Sequence, residues 1–313
     1  MTQPRMRVPG GTYLVTQTTL MSLFLLVPGK VVNQVMEYCM ARAAQACGIL
    51  LHAISVESNH YHMVVTDPEG RLSEFVQEFH RTAARCLMEY YRQKFPSMRL
   101  EGLWSAASAH SETLLVNAAG VLKELLYTFT NPVKDGLVRD YRQWPGFNTR
   151  PGDWKTGPRT VRRPEFYFKN TPEKITYELS APQQLGDEVE QVVKDVEGHI
   201  RREQQQIATN MAAEGRTFAG AKAVLRTAPL ASPNTPRPRG KLNPQLAAGG
   251  DSKALSAAAT ALKLFRIAYR EAWKRFKEVG TAVFPGGTLL MKKRFGVECE
   301  PLDAGCWCQL AAA

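Results

Sequence analysis

The sequence predicts an α+β fold for its first half, an antiparallel sheet with helices on one side, followed by a mostly helical and partly disordered extension. Three observations predict it. Hydrophobic periodicity switches between two and 3.6 in the order strand, helix, strand, strand, helix, strand across residues 12–116, the split βαβ arrangement. Turn and cap residues mark the switches: Gly48, then Glu57-Ser58-Asn59, then Asp67-Pro68-Glu69-Gly70. Beyond residue 140 the period fades into a segment rich in Arg, Trp, Pro and Gly.

Each element has its own warrant. TYLVTQTT (12–19) alternates and is rich in β-formers, so it reads as a strand. Residues 30–47 carry apolar side chains at helical spacing and stop at Gly48, a glycine C-cap. ILLHAISV (49–56) is a second strand, and HYHMVVT (60–66) returns antiparallel to it after the turn. LSEFVQEFHRTAARCLMEYYRQKF is a long amphipathic helix that ends before Pro96. SETLLV supplies a short strand, and a helix follows from about Ala118 to Thr130. Residues 8–150 form the first predicted domain. In the extension, 151–313, a polar helix is predicted near 185–214, a flexible linker near 227–251 and a strong helix over 252–279 with a basic, aromatic second half.

Composition narrows the function classes. The chain has 313 residues and a formal charge of +11, which suits a polyanionic partner such as nucleic acid. The apolar run MSLFLLVPGKVV is interrupted by Pro28, Gly29 and Lys30, and falls short of the roughly 20 residues that span a bilayer. MTQPRMRVPGGTYLVTQ does not read as a secretory signal. Six cysteines in a chain of this length do not make a disulfide framework, and Cys39, Cys47 and Cys86 read as small buried hydrophobes. The expectation is a cytoplasmic, reduced protein with no membrane association.

Two constellations carry chemistry. His60 and His62 stand at i and i+2 on a strand, so their imidazoles project from one face and both are able to ligate a divalent cation if a further donor arrives from elsewhere. The alternative is a pair of polar residues at a strand start. In KELLYTFTNPVKDGLV, Tyr127 and Asn131 are four apart on a helix and share a face, placing a phenol near an amide oxygen. The phenol is a candidate nucleophile and the amide a candidate ligand. The alternative is a core tyrosine beside Leu122, Leu125 and Leu126, with Asn131 closing the helix before Pro132.

Taken together, TYLVTQTT, LHAISVESNHYHMVV, LSEFVQEFHR and ELLYTFTNPVKDGLV resemble the single-tyrosine HUH transposases, in particular the REP-associated tyrosine transposases of the IS200-like superfamily. The resemblance covers about residues 10–150. It implies a ferredoxin-like HUH endonuclease core in which His60 and His62 match the paired histidines, Tyr127 the nucleophile and Asn131 the polar third ligand. The implied cofactor is Mg2+ or Mn2+, and the implied partner is single-stranded or hairpin DNA. The implied activity is cleavage and rejoining of DNA through a 5′-phosphotyrosine intermediate, by a monomer or a homodimer.

The sequence also departs from that family. TTLMS (18–22) lacks the arginines expected after the first strand, and EGLWSAASAHSETL keeps Gly102, Leu103 and Trp104 but not the basic and amide residues that follow them in relatives. These departures define the alternative: a domesticated hairpin-binding protein that is catalytically weak or inactive. Basic and aromatic residues interleave at Arg142, Trp144, Arg150, Trp154, Lys155, Arg159, Arg162 and Arg163, a pattern suited to neutralising phosphates and stacking bases, or else to a solvated connection. Arg266, Arg270, Lys274, Arg275 and Lys277 read as a solvated helix face. Cys299, Cys306 and Cys308 have poor zinc spacing. An RNA-binding sheet is disfavoured because the usual exposed aromatic strand motif is not apparent.

Overall fold

The first strand, β1 (Gly11–Thr18), lies near the centre of a sheet whose other members arrive in the predicted order: α1 (Lys30–Cys47), β2 (Leu50–Val56), β3 (His60–Asp67), α2 (Leu72–Lys94) and β4 (Ser111–Leu115). The structure is a computed structural model that describes residues 4–97, 99–105, 110–234 and 244–302. β1 pairs antiparallel with both β3 and β4, and β3 pairs antiparallel with β2. The resulting order β2-β3-β1-β4 is ferredoxin-like, because each helix crosses over one intervening strand. α1 stops where Gly48 adopts the left-handed conformation (φ 65°), and its N–H bonds back to the Ala44 carbonyl.

Helices cover both faces of this sheet, which extends the one-sided arrangement expected from sequence. Alternation along β3 sends Tyr61 to one face, where its ring meets Phe79 of α2. It sends His62 to the other, where its ring meets Tyr127 of α3 (Ala118–Lys134). α4 (Val189–Ala213) packs outside α3.

β2 is not left as a bare edge. Val56 N–H donates to Phe147 O and Thr149 N–H to Ile54 O, both at 2.9 Å, while Ser180 N–H donates to Leu51 O at 3.0 Å. Trp144 and Trp154 lock this cover down. Their indole N–H groups donate to Val56 O and His52 O, each at 2.8 Å, and Trp154 packs on Phe129 of α3. Both tryptophans are therefore core, with 4% and 6% of their surface exposed, which corrects the expectation that they offer faces for base stacking.

The hairpin of β5 (Arg159–Arg162) and β6 (Lys174–Tyr177) lies against α1, held by Tyr177 Oη donating to Glu37 and Tyr38 Oη to Pro172 O. After the short α5 (Ala221–Leu225), the expected linker behaves differently from a free connection at its end. Leu246–Ala247 forms β7, which pairs parallel with β4 as a fifth strand. Gly120 permits this, since a Cβ there would lie 2.7 Å from Ala247 O. α6 (Ser252–Val279) starts at an Asp251 cap, ends at left-handed Gly280 and packs with α7 (Leu289–Phe295) around Phe284. Cys299 hydrogen-bonds to Thr288 O, while Cys306 and Cys308 lie outside the described residues.

Burial gives the fold a pH signature. His52 donates through Nδ1 to Ser180 O at 2.7 Å and accepts at Nε2 from Thr66 at 2.8 Å. Burial pushes it down from 6.5 to about 4, against the raising effect of the Ser180 bond. The unfolded chain takes up this proton near pH 6.5 and the native state only near pH 4. Stability should therefore be flat above pH 6.5 and fall by on the order of 3 kcal/mol as pH drops through that window. Urea midpoints measured from pH 7.5 to 4 test this, and His52→Gln should make the fall less steep, leaving the part that buried His80, itself lowered to about 3, contributes over the same window.

Candidate active site

The hairpin turn between β2 and β3 is buried, and that burial builds the site. Ser58 and Asn59 are clasped by the segment after β1: Thr19 N–H donates to Asn59 O and Leu26 N–H to Ser58 O, both at 2.8 Å, and Asn59 Nδ2 donates to Ser22 O. Met21 and Ser22 take positive φ values of 51° and 56° to make the bend, a strained conformation for residues other than glycine. The clasp thus occupies the place where sequence comparison led one to expect arginines.

The buried turn presents Glu57 inward, only 2% exposed, beside His60 and Asn131. Asn131 Nδ2 donates to Glu57 Oε1 and lies 3.1 Å from His60 Nε2. His60 Nδ1 lies 2.8 Å from Asn59 Oδ1, which only accepts, so the proton sits on Nδ1 and Nε2 accepts from Asn131 Nδ2, with Glu57 Oε2 3.9 Å away. Fixing one ring nitrogen by a hydrogen bond is how proteins orient a metal-ligating histidine. Asp135, at the exposed C-cap of α3, completes a set of Glu57, His60 and Asp135 whose ligand atoms lie within 4.8 Å of one another.

These donors fit a hard divalent cation. Two carboxylates and one imidazole suit Mg2+ or Mn2+ better than a thiolate-seeking metal. Ligands about 2.1 Å from one ion stand about 3 Å apart when cis and about 4.2 Å apart when trans, so these donors would draw together around a bound ion. Asn131 presents its nitrogen to this cluster, and an amide turned over would present its oxygen to the same point.

His62 lies outside that set but touches the predicted nucleophile. Its ring stands edge-on between His60 and Tyr127, with both centroid distances 4.9 Å and interplanar angles of 88° and 87°. Tyr127 is half-buried, and Lys134 Nζ sits 5.0 Å from its ring centroid. The helix holding these groups runs through Pro132, four residues past its predicted end, and Asp135 N–H still bonds to Asn131 O at 2.9 Å. Asn131 therefore keeps helical phase with Tyr127. All four residues expected at the centre converge; Glu57 and Asp135 were missed, because nothing local marks a turn glutamate as buried.

The basic segment divides. Arg142, Arg150, Lys155 and Arg162 are exposed, Arg142 being paired with Asp140. Arg159 pairs with Asp153, and Arg163 donates to Lys169 O and Thr171 O, so these two are tied into the structure.

Residues 26–113 match the family described as "Transposase IS200 like". The match takes in Glu57, His60 and His62 and ends before α3. Among solved structures, the chain is similar to the REP-associated tyrosine transposase bound to a REP hairpin, at 22% identity and TM-score 0.37, covering 49% of this chain and 84% of that one. It is also similar to a protein from Deinococcus radiodurans R1 described as a transposase, at 18% identity and TM-score 0.26, covering 36% of this chain and 84% of the other. No curated protein matches the chain.

Proposed function

We propose that this protein is a transposase, a metal-dependent DNA strand transferase that cleaves and rejoins single-stranded or hairpin DNA through a 5′-phosphotyrosine on Tyr127. The observation that carries the proposal is the convergence, on one sheet face, of a half-buried phenol, a buried histidine pair and two carboxylates, with a lysine over the phenol.

Glu57, His60 and Asp135 would hold the cation, with His62 and Asn131 beside them. When bound, Mg2+ or Mn2+ supplies Lewis-acid stabilisation of the charge that builds on a non-bridging phosphate oxygen. Tyr127 Oη attacks phosphorus in line; the new bond is Oη–P and the broken one is P–O3′. The phenol loses its proton and the departing 3′ oxygen gains one. Reversal by a different 3′ hydroxyl restores the phenol and joins a new strand, so no nucleotide cofactor is consumed. The Lys134 ammonium lies over the Tyr127 ring and places a positive charge beside the attacking group. His62, packed edge-on against Tyr127, limits where the ring can swing. Exposed Arg142, Arg150, Lys155 and Arg162 neutralise backbone phosphates.

The test is incubation of the protein with labelled single-stranded and hairpin oligonucleotides, REP-type hairpins among them, with Mn2+, Mg2+ or a chelator. Cleavage is expected with either cation, not with chelator, and not with His60→Ala. Binding that persists without cleavage under every metal condition would instead favour the domesticated hairpin-binding protein.

A further inference from the structure

A second feature lies on the opposite face of the sheet. The C-terminal half of α2 and the loop carrying Tyr167 enclose an open cleft of about 400 Å³, rimmed by Arg85, Arg92 and Arg99 with one carboxylate, Glu89, and floored by apolar and aromatic side chains including half-buried Tyr167. Three features distinguish it from an ordinary solvated helix face. All three arginines are exposed. Among the described residues Arg85 and Arg99 make no ion pair, and only Arg92 is paired, with Glu89. The neighbouring aromatic rings form two groups, with Tyr90 against Phe166 at 6.0 Å and Tyr167 against Phe168 at 4.9 Å.

The cleft is also linked to the active site. Tyr91 Oη donates to Leu25 O at 2.8 Å, and the next residue, Leu26, donates to Ser58 O in the turn that carries Glu57. Cleft and catalytic cluster thus lie at the same end of the sheet, on its two sides.

We infer that this cleft binds single-stranded DNA, with Arg85, Arg92 and Arg99 on the backbone phosphates and Tyr167 stacked on a base. Unpaired guanidiniums beside aromatic faces are the elements that track a flexible polyanion with exposed bases; a duplex, whose bases are stacked inside, uses only the charges. A strand held there would pass the clasp at residues 19–26 on its way to Tyr127, so the cleft would grip DNA flanking the cleaved phosphate. The inference rests on the DNA-processing function proposed above.

The test is equilibrium binding of the full chain to a labelled mixed-sequence single-stranded oligodeoxynucleotide, in chelator so that no cleavage enters, over a range of salt. Arg85→Ala/Arg99→Ala should weaken binding about tenfold or more and flatten the plot of log affinity against log salt by about 1.4, two phosphate contacts' worth. Arg85→Lys/Arg99→Lys should keep most of the slope. Tyr167→Leu should weaken single-strand binding about fivefold, leaving the slope and duplex binding unchanged. Wild-type affinity and slope in both the double alanine and the Tyr167 variant, each with native circular dichroism, would overturn the inference. A protein that fails to cleave but loses affinity in these variants refutes the strand-transfer chemistry and leaves the cleft standing.

Discussion

Tyr127→Phe should lower strand cleavage by at least about 10³-fold and leave DNA binding and folding unchanged, because it removes only the oxygen that attacks phosphorus. The ring contact with His62 and the position under Lys134 depend on the aromatic ring, which phenylalanine keeps. Tyr127 is half-buried, so loss of the hydroxyl leaves no sealed cavity and costs little stability. A labelled hairpin incubated with Mn2+ and run on a denaturing gel measures the cleavage, and a filter-binding assay on the same preparation measures the binding. Loss of both together would point to a structural role for the tyrosine.

Glu57→Gln should have the second largest effect, at least about 100-fold in cleavage at fixed low Mn2+, partly recovered as Mn2+ is raised. The substitution preserves shape and leaves a carbonyl oxygen to accept from Asn131, while deleting one of the two negative charges in the cluster. A hard cation binds in proportion to the charge of its oxygen ligands, so the loss falls on metal affinity. Titrating Mn2+ against cleavage rate separates this from a loss of fold: a shifted midpoint supports the assignment, and a lowered plateau with an unmoved midpoint contradicts it.

How far the sequence disclosed this arrangement depended on how local each signal was. α1 and α6 were legible to the residue, because Gly48 ends the one and α6 carries an unbroken helical period over 252–279 before left-handed Gly280. The face shared by His60 and His62 followed from strand alternation alone. α3 was read too short, since Pro132 signals an end; here it lies buried in the last turn, where Asp135 N–H and Leu137 N–H still find the Asn131 and Pro132 carbonyls. β7 was hidden because two residues carry no period, and its pairing is made by β4, well over a hundred residues away. Trp144 and Trp154 were misread because interleaved charges say nothing of burial, which is decided by the open edge of β2. Glu57 escaped for the same reason: only the clasp from residues 19–26 makes an ordinary hairpin turn into an interior one.

The central claim is that Tyr127 becomes covalently joined to DNA, and peptide mapping tests it most directly. The protein is incubated with a hairpin oligonucleotide and Mn2+, digested with nuclease and trypsin, and the modified peptide is sequenced by mass spectrometry. The prediction is a nucleotide mass on the peptide from Glu124 to Lys134, localised to Tyr127. Cleaved DNA with that peptide unmodified, or the nucleotide on another residue, would contradict it.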